Sequence, residues 1–368
     1  MIYKKTLIIV TSITCGFVVV GSLLFTHFHA ATPFVSVKPR VGSLSYPAGI
    51  VTDATAKANK SVKSTPAISQ PSVTSTNKSV KSTPATSQPS VVISPPTSVI
   101  SPPLSTNLCT SIPSTPGVKP DATNTGVPAG TALTPSSDIN VTTPNTVIDA
   151  KDVNGAIFVN ANNVTIQNSK IHNTWSSYMA IKISDTAVGT KILHSTLYTS
   201  AGGYEGIIGG DFTACGNNIS GFENGMTIGG ETIVQANYIH NLQSAQVGAH
   251  YDGIEIYSGS NQKILGNNIL MTDVAGNWLD ETGAINLTAT WSTIANAVIN
   301  GNWIGGGSYT LYIRTSTSFG VYVYSNIKVS NNVWYGTAPK GHATYGPMSD
   351  EGGSVTYTNN TWENGAAL

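Results

Sequence analysis

Ile264–Ile269 reads ILGNNI, and the same six-residue pattern recurs on both sides of it. Written as apolar-x-x-Asn/Ser-x-apolar, it matches Ile166–Ile171 (IQNSKI), Ile192–Leu197 (ILHSTL), Ala214–Ile219 (ACGNNI) and Val234–Ile239 (VQANYI) upstream. Downstream it matches Ile299–Ile304 (INGNWI), Val329–Trp334 (VSNNVW) and Tyr357–Trp362 (YTNNTW). Ile148–Val153 (IDAKDV) is a poorer ninth copy. Successive starts from Ile166 lie 26, 22, 20, 30, 35, 30 and 28 residues apart, and Asn holds the fourth position in six of eight copies. A repeat of that length makes each copy one unit of a stacked array.

A second short segment with apolar alternation precedes most copies: AIFV, AIKI, GIIG, GMTI, GIEI, AINL and, before Val329, LYIR. Short alternating strands, Gly or Asn at the corners and no helical period predict an all-β coil with one repeat per turn. Coils stacked about 4.8 Å apart would align identical positions. Asn217, Asn237, Asn267, Asn302, Asn332 and Asn360 would then form one column, each amide bonding to the next. That role is structural, and the column is assigned no catalysis.

The stretches GGYEGIIGGDFTACGNNISGFENGMTIGG (202–230), GAHYDGIEIYSGSNQKILGNNI (248–269) and GGGSYTLYIR (305–314) are similar to exported bacterial β-helix proteins. The repeats resemble the right-handed parallel β-helix of the pectate-lyase-like kind. The resemblance spans residues 125–368 and implies a single-stranded solenoid of about eight to nine coils. It is much less specific for reaction, because such helices carry lyases, hydrolases, epimerases, phage spikes and adhesins. The signatures of polygalacturonase-like enzymes (Asn-Thr-Asp, Asp-Asp, Gly-His-Gly, Arg-Ile-Lys) and the Asp-Pro-His of mannuronan epimerases are missing.

The rest of the chain says where such a domain would work. Its 368 residues are 40% hydrophobic and only 10% charged, against about a quarter charged in an ordinary soluble domain. The zero net charge hides a split: residues 1–120 carry +9 and residues 121–368 carry −9. An acidic domain lacks the basic footprint that nucleic acid requires. Lys4 and Lys5 precede an uncharged run over residues 6–25, long enough to span a bilayer core. Residues 1–37 are therefore expected to be a membrane anchor or signal segment, with the remainder exported. Cleavage sites at Ala30 or Ala31 would be poor, since Phe28 and His29 sit two positions before them. Residues 38–120 read as a disordered stalk: Asn59–Val73 (NKSVKSTPAISQPSV) recurs as Asn77–Val91 with one change, followed by VISPPTS and VISPPLS. Three cysteines exclude a disulfide-dense scaffold. Cys109 and Cys215, both exported, are candidates for a bond between stalk and helix, although Cys215 also suits a buried thiol.

The second strands locate a candidate site. Aligned on Val159, Ile183, Ile208, Ile228, Ile256, Leu287 and Ile313 as inward residues, they present Phe158, Lys182, Ile207, Thr227, Glu255, Asn286 and Tyr312 outward. One exposed face would then carry Glu205, Asp252, Glu255, Tyr257, Asn286, Tyr312 and Arg314, with His250 beside it. Gly225, Gly229 and Gly253 would leave a shallow floor. Asp252, Glu255 and Arg314, the one Arg in residues 121–368, are the candidate catalytic groups. Glu205, His250, Tyr257, Asn286 and Tyr312 are the candidate substrate contacts. The competing readings are plain: Asp252-Gly253 as a turn, Glu255 as a solvated charge, Arg314 as a paired surface cation, and His172 and His240 as surface positions. Asp211 and Glu231 each follow a Gly-Gly pair, and two acids on adjacent turns would suit a cation.

Aromatic rings beside carboxylates suit a saccharide, so the expected partner is a polysaccharide or cell-wall glycan. A lyase would neutralise a uronate, often with Ca²⁺, for which these acids offer hard oxygen ligands. A hydrolase would place two carboxyls across the bond. A glycan-binding adhesin or a structural surface projection would need neither.

Overall fold

A computed structural model describes residues 109, 117–176, 178–316, 320–351 and 354–368. The expected membrane segment over residues 6–25 and the repeats of the stalk lie outside the described residues. No described helix is long and apolar enough to cross a membrane.

The described chain is all-β, and its strands form stacked parallel sheets in a β-helix-like solenoid. One sheet has nine strands, one per coil, from Val147–Asp149 through Lys263–Leu265 to Val355–Thr358. They pair in parallel at each step, so that Ile148, Ile166, Ile192, Ala214, Val234, Ile264, Ile299 and Val329 fall in one column. These are the first apolar positions of the repeat, and Ile148 brings the poorer copy into register as a ninth coil. The last apolar position builds a second inward column, from Val153, Ile171 and Leu197 to Trp334 and Trp362. Both columns are buried, and the core is contiguous along the solenoid.

A corner joins the two apolar positions of each copy. Its residues Ala150, Asn168, His194, Gly216, Ala236, Gly266, Gly301, Asn331 and Asn359 all have positive φ, between 45° and 69°. This is the left-handed conformation that Gly and Asn tolerate best. The next residue begins the ladder. Asn217 Nδ2 donates to Asn237 Oδ1 at 2.9 Å, and Asn237 donates to Asn267 at 3.0 Å. The chain continues through Asn302, Asn332 and Asn360 at 2.9–3.0 Å. Each Oδ1 also accepts the backbone N–H of the preceding ladder Asn, and each Nδ2 also donates to a main-chain carbonyl, as Asn267 does to Val234. Ser195 and Ser169 extend the column with hydroxyls.

Ordered contacts begin before residue 121. Cys109 is bonded to Cys215, with Cα atoms 5.8 Å apart. Asn268 Nδ2 donates to Pro120 O at 2.7 Å, and the Lys119 ammonium lies 5.3 Å from the Tyr335 ring centre. The end of the stalk is thus fastened to the solenoid.

Candidate functional site

The second strands form a continuous outward column over nine coils: Asn140, Phe158, Lys182, Ile208, Thr227, Glu255, Asn286, Tyr312 and Ser349. The sequence alignment errs at one coil. Ile207, not Ile208, joins the inward column with Ile181 and Met226, while Ile208 pairs with Lys182 and Thr227. Gly209 fills the place of the inward residue. A Cβ there would stand 2.7 Å from the Ile183 side chain. Two adjacent isoleucines make alternation ambiguous, and backbone crowding decides it. Gly225 and Gly253 do not floor the site either. Their missing Cβ atoms would meet the carbonyls of Gly253 and Ala284 on the next coil and the core side chains of Ile239 and Ile269. Gly229 does line the face.

The larger correction concerns exposure. The supposed exposed acids are buried: Glu205 is 2% exposed, Asp252 1% and Glu255 6%. Coils one strand spacing away cover each carboxyl with polar groups. The Thr227 hydroxyl donates to Glu205 Oε2 at 2.6 Å and lies 3.5 Å from Glu255 Oε2. Asn224 Nδ2 donates to Glu255 Oε2 at 3.1 Å, and Asn224 Oδ1 accepts the Asp252 N–H. Asn286 Nδ2 donates to Asp252 Oδ2 at 3.3 Å, and Gly283 N–H to Oδ1 at 3.4 Å. Thr288 donates to Asn286 Oδ1, and Arg314 Nε donates to Thr288 Oγ1 at 3.0 Å. One polar network therefore runs from Glu205 to Arg314. Asn224 and Thr288 are its unforeseen members, and Thr227, expected on the outward column, gains its role from bonding Glu205.

Burial sets the protonation of the pair. Desolvation raises Asp252 from 3.8 to about 8, opposed by the Asn286 hydrogen bond, the Gly283 N–H and the Arg314 charge. Glu255 is raised well above the usual carboxylate range, first by burial and then by Asp252. Glu205 and Glu223 add to that rise, and the Tyr257 hydrogen bond opposes it. Burial also raises Tyr257 and Tyr312.

A cavity of about 460 Å³ opens over this network, lined by His250, Asp252, Glu255, Tyr257, Asn286, Tyr312 and Arg314 among others. Seven of the eight residues expected to act on or touch substrate thus share one basin. Glu205 lies behind it, bonded to Thr227. Tyr312 is less available than its position suggests: Arg314 lies over its ring at 4.5 Å and Tyr309 meets it edge-on. His250 is exposed, on a turn held by Glu223, whose Oε1 accepts the His250 N–H at 3.0 Å. A second basin of about 670 Å³ adjoins the first, sharing Tyr257.

Asp211 and Glu231 line neither basin. Asp211 Oδ1 accepts the Glu231 N–H at 2.9 Å, and Glu231 Oε1 accepts Asn261 Nδ2. The bonds continue to Asn296 and Asn326, forming an outer amide ladder at another corner. Among the described residues no three His, Cys, Asp or Glu side chains are placed to hold a metal. His172 and His240 are half-buried rather than freely exposed, stacked on Tyr198 and Tyr238.

Compared with family models and with curated proteins, the chain matches none.

Proposed function

We propose that the protein is an exported, surface-attached right-handed β-helix of the pectate-lyase-like kind that binds a polysaccharide along this column and cleaves it by acid–base chemistry. The carrying observation is the unequal carboxyl pair in the first basin: Asp252 with Asn286 and the Arg314 charge beside it, Glu255 with the neutral donors Asn224 and Tyr257. Two carboxyls pushed apart by their surroundings supply an acid and a base at one pH. Glu255 holds its proton and would deliver it to the glycosidic oxygen as the bond to the anomeric carbon breaks. Asp252, once ionised above about pH 8 with the Arg314 charge beside it, would take a proton from the water that adds to that carbon. Residues 6–25 would anchor the chain and residues 38–120 would space it from the membrane.

The test is incubation with a panel of polysaccharides, reading new reducing ends and the absorbance of unsaturated ends separately. Reducing ends without unsaturation are expected, and Glu255→Gln should lower turnover on the order of 100-fold at an unchanged melting temperature. Unsaturated ends would instead establish a lyase. Unchanged binding and turnover in both Glu255→Gln and Arg314→Ala would remove the site from this face. A non-enzymatic adhesin is the second reading, favoured by the hydrogen bonds that already hold Glu205 and Glu255. Binding without either product would select it.

A further inference from the structure

The acid network occupies only part of the outward column. On the three coils before Thr227 the column reads Phe158, Lys182, Ile208, with no carboxyl. These residues line the 670 Å³ basin together with Trp291, and Asp138 and Asp185 line it as well. Its size falls within the range of ordinary small-molecule sites, about 300–1,000 Å³. Phe158 and Trp291 are each 38% exposed, so two large rings on its wall retain apolar surface in contact with water. The Ile208 side chain faces this basin because Gly209 takes the inward place beside Ile183. Trp291 stands on a fixed turn, since the N–H groups of Thr290 and Trp291 both donate to Tyr257 O at 3.2 Å. Tyr257 lines both basins, and Thr227, on the wall of the apolar one, donates to Glu205 in the acid network.

We propose that this basin is a subsite for an apolar substituent, an aryl or acyl group, carried by the same glycan whose sugar occupies the acid basin. The occupant is identified by continuity: one column of coils passes from a basin where Phe158, Ile208 and Trp291 stand among Lys182, Asp138 and Asp185 to the acid network, and a ligand spanning Tyr257 must match both. A bare, fully hydroxylated sugar would offer only the C–H face of one ring, whereas an aryl or acyl substituent would cover Phe158, Ile208 and Trp291 together. The inference rests on the glycan reading above, and the experiment separates the two.

Binding is measured by calorimetry on the full chain with matched methyl, hexyl and 4-nitrophenyl glycosides of a sugar panel, and with 4-nitrophenol alone. Removing roughly 60 Å² of apolar surface from water is worth about tenfold in affinity. At least one apolar glycoside should bind tenfold tighter than its methyl partner and tighter than 4-nitrophenol. The 4-nitrophenyl and hexyl arms decide between aryl and acyl chemistry. Trp291→Ala and Phe158→Ala, made separately so that one poorly folded variant leaves the other, should each cut that preference to under threefold. They should leave methyl glycoside affinity unchanged. Equal affinity for methyl and apolar glycosides, or a preference that survives both variants, overturns the subsite. If 4-nitrophenol alone binds as tightly as its glycoside and loses affinity in the variants, the apolar site stands and the saccharide reading falls.

Discussion

The corner ladder and the outward groove column are both side-chain stacks on the same coils, yet they differ in regularity. At the corner one residue type repeats six times running, from Asn217 to Asn360, and every amide bonds in the same way. In the groove the column changes from Phe158, Lys182 and Ile208 to Glu255, Asn286 and Tyr312. Stacking rewards identity where side chains face only their own copies in the neighbouring coils. The groove side chains also face open space, so their chemistry is set by what enters. Periodicity therefore marks scaffold, and its failure on an otherwise registered column marks the site.

Removing one rung should break the comparison most severely. Asn267 accepts from Asn237 and donates to both Val234 O and Asn302 Oδ1, all within the core. Asn267→Ala strands several buried polar groups at about 1–3 kcal/mol each. A loss of roughly 4 kcal/mol in a urea titration is expected, whereas Asn286→Ala, on the groove, should cost less than half as much. Similar losses at both positions would mean that the groove is held as rigidly as the corner.

The acids sharpen the contrast through pH. The ladder does not titrate, while Asp252 keeps its proton in the folded chain to about pH 8 against an ordinary 3.8. Between those values the folded state binds more protons than the unfolded one, so stability falls as pH rises. The stability is fully present below the unfolded value and is lost through the folded one. Asp252 alone contributes a slope of about 1.4 kcal/mol per pH unit, or roughly 3 kcal/mol from pH 5 to 7, and Glu255, raised by the same burial, adds to it. Melting curves over that range should show the decline, and Asp252→Asn should make it shallower, leaving the part due to Glu255. A flat wild-type profile would mean that water reaches the carboxyl.

The same contrast explains what was legible in the sequence. The coil repeat was, because Ile264 and Asn267 recur with their partners at fixed offsets and each copy must match the next. The convergence of Asp252, Glu255, Asn286 and Arg314 was also legible, since strand register alone carries it. Their burial was not. A strand pattern distinguishes inward from outward, and outward was equated with solvent, although Asn224 and Thr227 cover the acids from the adjacent coil. The apolar basin escaped notice because Ile208 follows an equally apolar Ile207 and because Trp291 sits on a turn, where no period applies. The pairing of Asp211 with the backbone of Glu231 was not legible either, because two acids at matching turns show nothing of which group each carboxylate accepts from.

The smallest expected effect tests whether backbone geometry limits the corner even where the ladder is absent. Ala150 occupies the left-handed position of the first coil at φ 51°, but the next residue is Lys151 rather than Asn. The backbone bonds of this corner are intact, with Ala150 N–H donating to Gln167 O at 3.2 Å and Ala150 O accepting from Thr134. An L-residue with a Cβ pays about 1–2 kcal/mol for this conformation. Glycine removes that strain but loses more entropy on folding, about 0.5–1 kcal/mol. The net gain for Ala150→Gly should be about 0.5–1 kcal/mol by urea titration. Gly216→Ala supplies the opposite sign at an equivalent corner, because its φ is 67° and an added Cβ would lie 2.6 Å from His194 Nδ1. It should lose at least 1–2 kcal/mol from strain alone. If Ala150→Gly destabilises while Gly216→Ala is neutral, side-chain packing rather than the left-handed backbone selects the residues that turn each coil.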